Sequence, residues 1–172
     1  DPERAAPEIT EMLEHLDEVR AGAAGLVVDA LIDDSPLVPG EPATVTLWTW
    51  NTSAGPVLVE SQLSPSSELK GEAYLDPHGV SVAPGQAVSQ RVRVTVPSDA
   101  APTEPYFLAR PRIGDLYDWS PRWEVGAQPF DPPPLTAEFS IGNPDQGGTI
   151  SLRREVAFRF NDQGRGEIRR PI

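Results

Sequence analysis

Apolar residues recur at two different spacings along the chain, and the spacing changes near residue 25. Before that point Ile9, Met12, Leu13, Leu16 and Val19 lie three or four residues apart, which places them on one face of a helix. After it, apolar and polar residues alternate, as they do in strands that bury one face. The sequence therefore predicts an all-β protein preceded by a short N-terminal helix.

The predicted helix has clear end signals. Pro7 suits a first turn, and Gly22 and Gly25 are expected to stop the helix. An isolated amphipathic helix of this length is only marginally stable in water, so its apolar stripe should pack on something. Either this domain or a preceding domain is expected to cover it.

A Pro-Gly turn that launches an alternating strand occurs twice. Residues 39–40 precede a strand predicted over 44–50, and residues 84–85 precede one over 88–96. Proline presets φ for the first turn position, and glycine supplies the positive φ that a type II turn requires. Two such units predict an immunoglobulin-like antiparallel β-sandwich. In the second strand Val92, Val94 and Val96 are expected to face inward, with Arg91, Arg93 and Thr95 facing outward.

The remaining strands follow from the same alternation and from the turns between them. Residues 57–63 are predicted to form an antiparallel hairpin with 44–50 through the turn at 51–55. Further strands are predicted over 26–32, 73–75, 106–109, 135–141 and 150–160, and the last two could form a hairpin.

Three regions are expected along the chain. Residues 1–24 form the helix or a linker from a preceding domain, and 25–112 form the core of the β-sandwich. Residues 113–172 are predicted to be an aromatic and proline-rich excursion followed by a C-terminal hairpin, packed on the same sandwich.

The net charge of the chain limits the classes of partner that it is expected to bind. With 14 basic and 26 acidic residues, the formal net charge is −12. Such a surface repels phosphate backbones and anionic bilayers, so neither nucleic acid nor membrane is expected as a partner. No apolar run has the length of a transmembrane helix, and the absence of cysteine leaves the cell compartment open.

No catalytic or metal site is predicted. The two histidines, His15 and His78, lack partners at the spacing of a zinc site, and both are expected at the surface. The oxygen-rich segment 161–167 is short for a calcium loop and includes an arginine, so a polar β-turn is expected there. We expect no cofactor.

Two tryptophans give the one candidate binding site. Trp48 and Trp50 share a strand face, opposite Val45 and Leu47. If the aliphatic pair faces the core, both indoles face outward, where they could form a ligand platform for sugar rings. The alternative is that the excursion around residues 119–123, or the C-terminal hairpin, folds over them, because wet indoles are costly.

The first sandwich unit resembles a known class of module. The segment Val82-Ala83-Pro84-Gly85-Gln86 through Val92-Arg93-Val94-Thr95-Val96-Pro97, after Pro39-Gly40-Glu41 and Asn51-Thr52, is similar to NEW3-like, immunoglobulin-type sandwiches. Those modules are appended to bacterial carbohydrate-active enzymes.

The second half of the chain resembles the region C-terminal to the catalytic domain in large bacterial PIG-L (LmbE-like) deacetylases. With the first sandwich unit included, the resemblance spans about residues 25–172. It rests on residues 103–108, 116–119, 132–137, 156–160 and 166–171. In that family a zinc-dependent domain deacetylates N-acetylglucosamine-type substrates through a His-Pro-Asp-Asp-type motif. Nothing here matches that motif, because Asp33-Asp34 has no histidine before it and His78 is followed by Gly79.

The resemblance implies a non-catalytic accessory domain that braces or orients an adjacent catalytic domain of the same polypeptide, with glycan contact as an added role. It also suggests an extracytoplasmic location. The alternative is a stand-alone carbohydrate-binding or cell-surface module that uses Trp48 and Trp50.

Overall fold

The computed structural model describes residues 2–65, 79–100, 105–108, 110–118, 132–142 and 148–172. In chain order its elements are α1 (Pro2–Ala24), β1 (Leu26–Ile32), β2 (Pro42–Asn51), β3 (Val57–Pro65), β4 (Val80–Val82), β5 (Gln86–Thr95), a 3-10 turn (Tyr106–Leu108), β6 (Leu135–Gly142), β7 (Thr149–Glu155), β8 (Ala157–Asp162) and β9 (Gly166–Pro171).

The strands form two sheets packed face to face. One sheet has five strands in the order β5-β2-β1-β8-β9, and the other has four in the order β4-β3-β6-β7. All neighbouring pairs are antiparallel except β1 and β8, which run parallel. The predicted all-β sandwich with an N-terminal helix is therefore confirmed.

The core lies between the sheets and draws on both halves of the chain. Val45 and Leu47 of β2 pack with Phe139 of β6, Leu152 of β7 and Val156, and each is at least 97% buried. The strand alternation explains this, since every second residue of a strand points to the same side. Strands β6 and β7 and Val156 thus contribute to the same core as β1, β2 and β5.

The prediction for β5 is confirmed. Its register with β2 pairs Val92 with Val45 and Val94 with Ala43, and all four side chains are buried. Its alternate residues, including Arg91 and Arg93, are exposed.

The predicted hairpin between β2 and β3 is wrong. β2 pairs with β1 and β5, whereas β3 lies in the other sheet between β4 and β6. Asn51, which is completely buried, directs this crossing, because its amide donates to the carbonyls of Gly55 (3.0 Å) and Val82 (2.8 Å). Alternation alone could not distinguish the two paths, since either one buries the same face of β3.

Two other strand predictions also need correction. Over 106–109 the described residues form a 3-10 turn, closed by a hydrogen bond from the Leu108 amide to the Pro105 carbonyl (2.8 Å). The segment 150–160 divides at Val156 into β7, which pairs with β6, and β8, which joins the other sheet. The predicted hairpin with 135–141 is therefore formed by β7 alone. The short strand expected at 73–75 lies outside the described residues.

Candidate functional site

Trp48 and Trp50 lie on the outer face of the five-stranded sheet, the side turned away from the four-stranded sheet. Their neighbours Leu47 and Thr49 on β2 are buried, so strand alternation turns both indoles outward. Both indoles are half-buried. The outward orientation predicted from the sequence is thus what the structure has.

The two indoles stack on each other. Their ring centroids are 5.5 Å apart and their planes differ by 14°. This is the geometry of an offset-stacked pair, in which each ring covers part of the other's face. The pair therefore leaves one face of each ring turned away from its partner, and for Trp48 the order of residues along β2 places that face on the Thr46 side of the stack.

Neighbouring strands place apolar, polar and charged side chains beside the stacked indoles. On β1, Val27 pairs with Trp50 and Asp29 with Trp48, and Val27 is 55% exposed. On β5, Ser89 pairs with Trp48. The indoles thus sit beside an exposed aliphatic side chain, a hydroxyl and a carboxylate. Trp119 and Trp123, which were expected to cover them in one alternative, lie outside the described residues.

Arginines from β5 and β9 lie on the same outer face. In the β2–β5 register Arg91 stands opposite Thr46 and Arg93 opposite Thr44. On the other side of the stack, Arg169 of β9 pairs with Asp29 (Nη1–Oδ1 2.7 Å). The carboxylate nearest the tryptophans is therefore neutralised. Sequence alternation predicted that Arg91 and Arg93 face outward, but their position near Trp48 follows only from the strand register.

A second candidate surface lies on α1. The helix contacts the sandwich through its C-terminal part, where Ala21 is 98% buried. Arg154 of β7 forms a bidentate ion pair with Glu18 (Nη2–Oε2 3.0 Å for the longer contact), and Asp17 accepts a hydrogen bond from the Ser151 amide (3.0 Å). Arg20 donates to the Thr149 carbonyl (3.3 Å).

The apolar stripe of α1 faces away from the sandwich. Its five side chains are between 52% and 70% exposed. The described residues of the sandwich therefore leave the stripe exposed, contrary to the expectation that this domain covers it. The exposed side chains are Ile9, Met12, Leu13, Leu16 and Val19.

The residues considered as metal ligands are the histidines and the oxygen-rich segment. His15 is exposed on α1, and His78 lies outside the described residues. Asp162 Oδ1 accepts hydrogen bonds from the amides of Gly164 and Arg165 (2.9 Å each), which makes 162–165 the polar turn that was expected. Nowhere in the described ranges do three or more His, Asp or Glu side chains gather as metal ligands would. Among the described helices, none has the length and apolarity of a bilayer-spanning segment.

An open cleft of about 620 Å³ lies between the end of α1, the turn that follows β2, and Gly142 and Gly148 beside β6 and β7. Its polar side chains already have partners within the described part of the chain. Arg20 is paired with Asp17 (2.6 Å), Thr52 donates to the Gly25 carbonyl (2.7 Å), and Ser53 donates to Asn51. The cleft offers no uncommitted charged group for a ligand.

Comparisons with known proteins do not identify a family. No protein-family model matches the chain, and no curated protein matches it. Among solved structures, the chain is similar to a FixG-related protein from Vibrio parahaemolyticus, with 10% identity and a TM-score of 0.38. The similarity covers 74% of this chain and 91% of the FixG-related chain. A likeness this weak identifies neither a family nor an activity.

Proposed function

We propose that this chain is a non-catalytic accessory β-sandwich domain of a larger bacterial enzyme, and that it braces and orients the catalytic domain through α1. One observation supports this proposal most directly. The C-terminal part of α1 is fixed to the sandwich, while the apolar stripe along the helix is left uncovered.

Because its C-terminal end is fixed, α1 has a defined orientation relative to the sandwich. The Arg154–Glu18 pair has the bidentate geometry that sets direction as well as distance. Arg154 also donates from Nε to the Val28 carbonyl (3.2 Å), so the same side chain joins α1, β7 and β1. A partner that covers the stripe would therefore be held at a set angle to the sandwich.

The apolar stripe of α1 has the properties of a surface that a partner domain buries. Burying one large aliphatic side chain contributes about 1.5–3 kcal/mol, and five such side chains lie together on α1. Contiguous exposed apolar surface of this kind marks interaction sites. Glu11, Glu14 and Glu18 lie on the opposite side of the helix, and Glu18 is already paired with Arg154, so the stripe itself stays apolar.

The parent enzyme is proposed from the sequence resemblance. The likeness of residues 25–172 to the region after the catalytic domain of PIG-L-like deacetylases supports a parent that acts on N-acetylglucosamine-type substrates. Zinc chemistry would belong to the parent's catalytic domain, because this chain lacks the His-Pro-Asp-Asp-type motif. Glycan contact by the sandwich itself is compatible with this role.

The test uses the longest polypeptide encoded by the reading frame that contains this chain. We expect that frame to encode a zinc-binding domain before α1. When the two parts are produced separately, Leu13→Glu with Leu16→Glu should weaken their association at least tenfold, because two charges would enter the apolar interface. Glu11→Gln with Glu14→Gln is the matched control on the same helix and should change it by less than about threefold.

Two results would overturn the proposal. One is a reading frame that encodes no catalytic domain, and the other is association that Leu13→Glu with Leu16→Glu leaves unchanged. The non-catalytic assignment has its own measurement, which is acetate release from N-acetylated chito-oligosaccharides with zinc present. The isolated chain should release none, and turnover by it would contradict the assignment.

A further inference from the structure

From the arrangement around Trp48, we propose that the outer face of the five-stranded sheet binds a saccharide carrying carboxylate groups. The site consists of Thr46, Trp48, Arg91 and Arg93, and is called the Trp48 site below. It is independent of α1, and it extends the platform expected from the sequence by naming the charged residues and the class of sugar.

The register of β2 and β5 brings the four residues together. Arg91 lies directly opposite Thr46, and Arg93 lies opposite Thr44, all on the outer face. Successive outward residues on a strand are separated by roughly 6.6 Å. Trp48 follows Thr46 at that spacing, so Trp48 and the Arg91 side chain border the same patch of sheet.

The two arginines are uncommitted. Within the described ranges, neither Arg91 nor Arg93 has an ion pair or a side-chain hydrogen bond. Both are exposed, so their guanidinium groups can reach a ligand without first losing a protein partner. By contrast, Arg169 on the same face is engaged by Asp29.

Each part of the site matches a part of a uronic acid. The apolar face of a pyranose ring packs on an indole face, and Trp48 has one face that Trp50 does not cover. A guanidinium binds a carboxylate through two parallel hydrogen bonds, and a pair of arginines two residues apart can bind carboxylates on one or two sugars. The hydroxyls of Thr46 and Ser89 lie at the base of the patch, where they can bond sugar hydroxyls.

The charge of the face agrees with this ligand. Its described charged side chains are four arginines, namely Arg91, Arg93, Arg159 and Arg169, against Asp29 and Glu167. The rest of the molecule is acidic, but the effect of those charges is screened beyond about 8 Å at physiological salt.

The experiment is an NMR titration of the isotopically labelled chain with trigalacturonate. We expect the indole NH signal of Trp48 and the amide signals of Thr46 and Arg91 to shift, with a Kd of about 1 mM, as suits an open and shallow site. Raising the salt from about 0.05 M to about 0.5 M should weaken binding several-fold. The neutral trimer of galactose should bind at least tenfold more weakly.

Variants separate specific contact from general charge. Arg91→Gln with Arg93→Gln should weaken trigalacturonate binding at least tenfold, and Trp48→Ala should do the same. Arg165→Gln is the matched control, because Arg165 is an exposed arginine in the β8–β9 turn, and it should change binding by less than twofold. If Trp48→Ala proves unstable, Trp48→Phe keeps a ring in place and should retain most of the affinity.

Each other outcome counts against the site. Equal binding of the neutral trimer would remove the role of the arginines, and equal weakening by Arg165→Gln would show a general charge effect. Tighter binding of a tetrathymidylate oligonucleotide would replace the saccharide with a nucleic acid. Titration without shifts at the Trp48 site would overturn the proposal altogether.

Discussion

At the scale of single residues, Gly25 joins the helix to the sandwich. Its φ of +73° lies in the left-handed region, and its carbonyl accepts two hydrogen bonds from Thr52, from the amide (2.8 Å) and from Oγ1 (2.7 Å). The sequence predicted that a glycine would end α1 here, because glycine favours this conformation. It could not predict Thr52 as the partner, since that contact depends on how the turn after β2 returns to the helix end.

Gly25→Ala should therefore lower the free energy of unfolding by about 2 kcal/mol or more. An alanine Cβ would clash with Thr52 Oγ1 and lie 3.2 Å from the Thr52 carbonyl carbon, and the backbone conformation itself costs roughly 1–2 kcal/mol. Gly22→Ala is the matched control inside α1, where a Cβ meets nothing within 4 Å. It should stabilise the chain by about 0.5–1 kcal/mol. Urea unfolding measures both, and a neutral Gly25→Ala would contradict the account of the turn.

At the scale of elements, the helix and strands were largely predictable, whereas their partners were not. Alternation located β2 and β5, and the 3.6-residue period located α1, because both patterns are local. The crossing of β2 to β3 depends on the buried amide of Asn51, which reaches Val82 some thirty residues away in sequence. For the candidate site the same limit applies. The outward indoles were predictable, but the approach of Arg91 to Trp48 depends on pairing between separate strands.

The attachment of α1 to the sandwich is an element-scale feature with its own test. Arg154→Ala removes the ion pair to Glu18 and the hydrogen bond to the Val28 carbonyl. Partly exposed pairs of this kind contribute up to about 1 kcal/mol, so amide hydrogen exchange in the second half of α1 should rise about fivefold. Exchange in β2 and β5 should not change. Arg153→Ala, at the next position on β7, is the control, and an equal effect there would argue against a specific attachment.

At the scale of the whole molecule, distant segments complete each sheet. β6 lies between β3 and β7, and β8 pairs in parallel with β1, although more than a hundred residues separate β1 from β8. Parallel neighbours require a long connection, so no local pattern announces them. The strands β1 to β5 and the strands β6 to β9 therefore build one sandwich, and neither set has a complete pair of facing sheets without the other.

It follows that a chain ending at residue 112 should not fold. It would lose the core residues Leu135, Phe139, Leu152 and Val156. It would also lose β6, the strand that pairs with β3. Each large side chain removed from a packed core costs about 2–5 kcal/mol, and together these losses exceed the stability of an ordinary domain. Its NMR spectrum should lack the amide dispersion of a β-sheet.

The matched truncation ends at residue 165 and removes Ile172 and β9, an edge strand whose described side chains are not fully buried. That chain should keep a dispersed spectrum and a single unfolding transition, because β9 pairs with β8 alone and every fully buried core residue remains, with only the partly buried Ile172 lost from the packing. A dispersed spectrum from the shorter chain would instead mean that residues 25–112 form a separate folding unit. The interleaved order of the strands argues against that result, because β1 and β3 would both be left as unpaired edges where the missing strands now sit.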